Sequence, residues 1–114
     1  MASIYKKSFI SPDTLVLDKG SQLNKVCFGA ITVTQIKLEK DWSWSSSIQA
    51  AGSQVCLQQR VGAVLQGCLI ISHDDGTQVK VGAGEAYSVA PGHDLWVHGD
   101  EDVVAVEFEH WSIN

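Results

Sequence analysis

The stretch Gly84-Glu85-Ala86-Tyr87-Ser88-Val89-Ala90-Pro91-Gly92-His93-Asp94-Leu95-Trp96-Val97-His98-Gly99-Asp100-Glu101 decides how the chain is read. Two short apolar segments, Ala86 to Val89 and Leu95 to His98, flank the pair Pro91-Gly92, and a second turn signal, Gly99-Asp100, follows. Proline presets φ and glycine tolerates a positive φ, so the pair marks a reversal between strands and breaks any helix. His93, His98 and a group of acids stand in the same stretch, so turn chemistry and candidate site chemistry coincide there.

Outward from this stretch the same grammar recurs. Apolar or alternating runs cover Ala30 to Leu38, Val55 to Leu65, Cys68 to Ser72, Gln78 to Val81 and Val103 to Trp111, with turn signals at Asp74-Asp75-Gly76 and Gly82-Ala83-Gly84. No segment sustains the 3.6-residue period of a helix, and many short strands at this spacing predict an all-β sandwich or barrel. Asp75-Gly76 predicts a hairpin, which places His73 beside an exposed turn. Trp42 and Trp44 are two apart and share one face of any strand, as expected of core packing or a dimer contact. In the last run Val104, Val106 and Phe108 are expected on the dry face, with Glu107 and Glu109 on the wet one. The first 25 residues are mixed in polarity. They suit an edge strand, a covering arm or an arm exchanged with a partner.

Composition bounds the function. At 114 residues the chain fits one domain, and 45% hydrophobic with 18% charged residues is an ordinary globular balance. Its apolar runs fall short of the roughly 20 residues that cross a bilayer. The N-terminus lacks the pattern of a secretory signal, so a cytoplasmic location without membrane partners is expected. The net charge is −5, and residues 61–114 hold one basic and nine acidic side chains. With no basic stripe to neutralise phosphates, nucleic acid is not expected as a partner. Cys27, Cys56 and Cys68 form no C-x-x-C pair and are expected reduced.

The order Gly67, Asp75-Gly76, Gly82-x-Gly84-Glu85 and Val89-Ala90-Pro91-Gly92 resembles the cupin superfamily over about residues 30–110. Pro91-Gly92-His93-Asp94-Leu95-Trp96 is further similar to the Pro-Gly-His-Asp-x-Trp signature of small single-domain cupins. The resemblance implies a double-stranded β-helix, or jelly-roll barrel, filling one domain over residues 1–114. Metal-binding cupins hold iron, manganese, zinc or another divalent ion with three histidines and a glutamate. Counting back from Gly67 puts Arg60 at the glutamate position. The paired histidines become Cys56 and Gln54 with the shorter motif spacer, or Val55 and Ser53 with the longer one. Counting forward from Gly84 puts Leu95 at the last histidine. A guanidinium has no lone pair to offer and repels a cation, so the resemblance implies a barrel without a metal cofactor at the usual position.

Four readings of the site follow. In the first, Gln54, Cys56, Gln58 and Arg60 face the barrel interior with Leu95 and Trp96, and bind a small organic molecule. That molecule is anionic where Arg60 pairs its carboxylate or phosphate. The competing structural role for Arg60 is a salt bridge to an internal acid such as Glu85. In the second, His93, with an ordinary pKa near about 6.5, acts as acid or base opposite Tyr87, oriented by Asp94 or Glu85, as in metal-free cupins that epimerise sugars. Its own structural alternative is a turn histidine bonded to the backbone. The third moves a metal to His93, His98, Cys56 and Asp94, although strand alternation puts the two histidines on opposite faces. The fourth is a non-catalytic module whose Trp pair and N-terminal arm build a homodimer.

Overall fold

The computed structural model describes residues 3–44 and 59–110, the side chain of His110 excepted. Nine strands form among the described residues: β1 (Thr14–Asp18), β2 (Ser21–Phe28), β3 (Ile31–Leu38), β4 (Arg60–Gln66), β5 (Cys68–His73), β6 (Gln78–Gly82), β7 (Ala86–Val89), β8 (His93–Val97) and β9 (Val103–His110). They pair antiparallel into a six-stranded sheet, β1-β2-β3-β9-β4-β7, and a three-stranded sheet, β6-β5-β8. This is the all-β jelly-roll architecture. Among the described residues no helix is long and apolar enough to cross a membrane.

Side-chain alternation explains the layering. On β3, Thr32, Thr34, Ile36 and Leu38 are buried, and on β5 Leu69 and Ile71 are. Ile36, Leu38, Leu69 and Ile71 close on Val64, Val81, Leu95, Val97, Val103 and Ala105 as one apolar core between the sheets, with Trp42 packed in it. The Asp75-Gly76 hairpin forms as expected, with Gly76 at φ 96° and its N–H donating to the His73 carbonyl. The Gly82–Glu85 turn is pinned to β4, since Val64 N–H donates to the Glu85 carbonyl and Gly84 N–H to the Val64 carbonyl. That turn ties one sheet to the other.

Three expectations are corrected here. On β9 the buried face is Val103, Ala105 and Glu107, whereas Phe108 is 53% exposed. The assumed dry face points outward. His73 is half-buried: its Nε2–H donates to the Pro91 carbonyl at 2.8 Å while Nδ1 accepts from the Asp75 N–H at 3.1 Å. The ring thus bridges two turns, with its tautomer set by a carbonyl that only accepts. Glu85 is exposed and caps its own turn by accepting from Gly82 N–H at 2.8 Å, so it is not an internal acid.

The first residues do two things. β1 forms the sheet's edge, and the preceding arm lies on the outer face of β2, where Asp13 accepts from Cys27 N–H at 2.8 Å and from Lys7 Nζ at 2.8 Å. Lys7 also sits 5.6 Å from the Phe28 ring centroid. Cys27 and Cys68 are free thiols.

Candidate functional site

The inward face of β4 starts with Arg60 and continues to Gly62, which stands opposite Glu107 on β9 and Tyr87 on β7. This register brings three polar side chains together at the wall of the core. Arg60 Nη1 donates to Glu107 Oε1 at 3.0 Å, and the Tyr87 hydroxyl donates to Glu107 Oε2 at 2.5 Å. Both carboxylate oxygens are engaged and the acid is buried, so Glu107 stands as the internal counter-ion of Arg60. The guanidinium carbon lies 5.4 Å from the Trp44 ring centroid, within cation–π range.

Gly62 makes this approach feasible. A Cβ there would overlap the Val106 carbonyl oxygen and come within 2.8 Å of Glu107 Cγ and 3.0 Å of the Tyr87 hydroxyl. Burial raises the Tyr87 phenol above its ordinary value of 10.0, the Glu107 charge and hydrogen bond raise it further, and Arg60 opposes them. Tyr87 therefore stays protonated at neutral pH and donates to Glu107 there.

Two separate voids lie beside this cluster. The inner one, of about 40 Å³, is lined by Trp42, Trp44, Arg60, Tyr87, Leu95 and Glu107 among others. The outer one is a cleft of about 420 Å³ between the edges of β6 and β7, floored by Ile71, Val79, Val81 and Val89, with His73 and Ser88 on its rim. Tyr87 lines both. The buried indole N–H groups of Trp42 and Trp44 find no hydrogen-bond acceptor among the described residues. Buried donors are almost always satisfied, so these two call for an acceptor from beyond the described residues, a bound molecule being one source.

The residues expected at a site are distributed as follows. Arg60, Tyr87 and Leu95 converge on the inner cavity. Gln54, Cys56 and Gln58 lie outside the described residues. Trp96 takes the outward parity of β8 beside the half-buried Asp94, bridging to Ser43, while Leu95 and His93 point inward. His93 is fully buried, its Nδ1–H donates to the Ala90 carbonyl at 2.9 Å, and it lines neither void. His93 and Tyr87 are thus not joined in one cavity. His98, just beyond β8, is exposed and on the face opposite His93. Glu107 was missed because Val103 and Ala105 share its parity yet the bulkier Val104, Val106 and Phe108 suggest the other face. Trp42 and Trp44 belong to the core and cavity wall, not to an exposed contact surface.

The donors present do not suit the divalent ion that metal-binding cupins hold. Of the four ligand positions the described residues include two, occupied by a guanidinium already bound to Glu107 and by a buried leucine. Among the described residues no group of three or more His, Cys, Asp or Glu side chains is arranged to hold a metal ion.

No protein-family model matches this chain, and no curated protein matches it. Solved structures do. KdgF from a Halomonas species is 13% identical, with a TM-score of 0.62 over 86% of each chain. A sugar phosphate isomerase from a cupin superfamily, of Silicibacter pomeroyi, is 14% identical with a TM-score of 0.61, over 82% of this chain and 61% of that one. An oxalate decarboxylase variant from Bacillus subtilis is 14% identical with a TM-score of 0.71, over 100% of this chain and 31% of that one. The chain therefore has the cupin fold. Identities this low carry the architecture and leave the chemistry to the chain's own residues.

Proposed function

We propose that this cupin works without a metal and binds a small, uncharged organic molecule that enters between β6 and β7 and presents a carbonyl or hydroxyl oxygen to the inner cavity. The observation that carries the reading is the pair of buried indole donors, Trp42 and Trp44, lacking acceptors among the described residues, beside a cavity whose guanidinium is already neutralised. The apolar floor of the cleft suits a hydrocarbon body, and about 420 Å³ lies in the range of small-molecule sites. An inner void of about 40 Å³ admits a polar end group or water but not a ring. An anion is less well served. Arg60 donates to Glu107, so a carboxylate entering the cavity meets a pair of zero net charge, and displacing Glu107 would strand a buried charge.

The test is a titration of small cyclic ketones, lactones and alcohols against matched carboxylates, followed by tryptophan fluorescence and by the melting temperature. Uncharged members are expected to shift both readouts, and Trp44→Phe should weaken them by up to about tenfold, the worth of one neutral hydrogen bond. Binding confined to carboxylates, and abolished by Arg60→Met, would restore the anion reading. Binding that requires added divalent metal would defeat metal independence.

A further inference from the structure

His73 stands where two turns meet, and its ring nitrogens face different kinds of partner. Nε2 lies 2.8 Å from the Pro91 carbonyl oxygen, which accepts a hydrogen bond from the neutral or the charged ring alike. Nδ1 accepts from the Asp75 N–H at 3.1 Å, but it also lies 3.0 Å from Asp74 Oδ1 and 3.4 Å from Asp75 Oδ1. No single state of the ring satisfies all three. A neutral imidazole with its hydrogen on Nε2 accepts from the Asp75 N–H and turns a lone pair toward two carboxylate oxygens. A charged one donates to a carboxylate and turns its own hydrogen toward that N–H.

The surroundings favour exchange between these two states. The His73 side chain is 21% exposed, so protons reach it from solvent. Asp74 and Asp75 stand on its own turn. From β8, His93 lies opposite His73 with its Nδ1–H donating to the Ala90 carbonyl, and Asp94 lies opposite Ser72. Of the cleft residues that β6 and β7 contribute, only Tyr87 titrates, and it stays protonated. The Asp75 carboxyl is held below its ordinary range, first by the Thr77 N–H and then by the Thr77 hydroxyl, so it remains charged as the ring gains a proton. Asp74 already reaches across to the β7–β8 turn, where its N–H donates to the Gly92 carbonyl at 3.0 Å. We propose that His73 is a proton-operated clamp on the rim of the outer cleft: on acidification its Nδ1 exchanges the Asp75 N–H for the Asp74 carboxylate and tightens the β5–β6 turn against the β7–β8 turn. The charged ring also holds the Pro91 carbonyl more strongly, since a hydrogen bond from an ionised donor is the stronger kind. His73 and Ala90 both line the cleft, so the clamp acts on its rim whatever molecule the cleft takes.

Nuclear magnetic resonance between about pH 8 and about pH 5, the range in which histidine gains charge, tests this. The wild-type His73 ring should pass from the Nε2–H tautomer to the doubly protonated form. With it, the Asp75 amide should lose up to about tenfold in exchange protection relative to its intrinsic rate, the worth of one neutral hydrogen bond, while the Asp74 amide gains protection. His73→Gln should abolish both changes. Asp74→Asn, a substitution at an exposed turn position, should abolish the gain at residue 74 and keep the loss at Asp75. A ring that stays neutral throughout overturns the proposal, as does an Asp75 amide whose protection ignores the charge on the ring. So do changes that persist in His73→Gln, or a full gain at residue 74 in Asp74→Asn.

Discussion

Arg60 and Glu107 determine what the interior can do, because each is costly without the other. Removing one member of a buried ion pair leaves an uncompensated charge and typically costs about 3–5 kcal/mol, whereas replacing both can be nearly neutral. Arg60→Met is accordingly expected to lose that much in urea unfolding, and Arg60→Met with Glu107→Gln to recover most of it, since the amide oxygen introduced on β9 would still accept from Tyr87. Equal and additive losses would mean that the two are not coupled. Tyr87 makes a second test. Its phenol is raised in the folded chain, first by burial and then by Glu107, while the unfolded chain titrates near 10.0. Stability from this group is complete below that value and declines as pH rises through it, because the unfolded state loses the proton first. The difference in unfolding free energy between wild type and Tyr87→Phe should shrink steadily above pH 10.0, a trend absent at neutral pH. At this scale the sequence exposed half of the site. Arg60 stood out because a permanent cation occupied a position where the resemblance wanted a carboxylate. Its partner did not, because both faces of β9 carry apolar residues and the larger ones point outward.

Most strands were legible as elements, within one or two residues, wherever a turn signal bounded an apolar alternation. β3, β5, β6, β7 and β8 all fall where glycine and proline punctuation placed them. β1 and β2 did not separate, because β2 alternates Leu23, Lys25 and Cys27 with Gln22, Asn24 and Val26, and neither set looks like a core face. The explanation lies in the arm. Its residues Ser8, Phe9, Ile10 and Pro12 line a groove with Asn24 on the outer side of β2, and Asn24, buried there, is satisfied by Gln22 at 3.0 Å and Gln35 at 3.2 Å. The turn histidine was misjudged for a similar reason, since nothing local announces that the Pro91 carbonyl will arrive beside His73. That contact joins the β5–β6 turn to the β7–β8 turn, and Asp74 N–H reinforces it by donating to the Gly92 carbonyl at 3.0 Å. Gly92 has φ 94°, and a Cβ there would come within 2.9 Å of Asp74 Oδ2. His73→Ala should therefore cost about 1–2 kcal/mol, the loss of a partly buried hydrogen-bonding group, and raise amide exchange in both turns together. Exchange confined to the β5–β6 turn would show that the ring does not couple them.

The order β1-β2-β3-β9-β4-β7 sets how much each end of the chain matters to the whole molecule. β9, the last of the described strands, lies between β3 and β4, and its eight residues pair with all of β3. It carries Val103 and Ala105 to the centre of the core and supplies Glu107 to the polar cluster. Without it the larger sheet divides into β1-β2-β3 and β4-β7, the core loses one wall and Arg60 loses its counter-ion. The opposite end contributes differently. Among the described strands β1 pairs with β2 alone and buries none of its own residues, and the arm stands beside Asn24 on an outer face, away from the apolar core. Truncation after Asp102 is thus expected to abolish cooperative thermal unfolding and the near-ultraviolet circular dichroism of the packed Trp42. Removal of residues 1–18 should keep both, with a lower melting temperature from the exposed outer face of β2. Small antiparallel domains unfold as one unit when a central strand closes the sheet, so the contrast between the two deletions measures where closure occurs. If the N-terminal deletion also loses the transition, the arm is part of the cooperative core and β9 is not its sole closing strand.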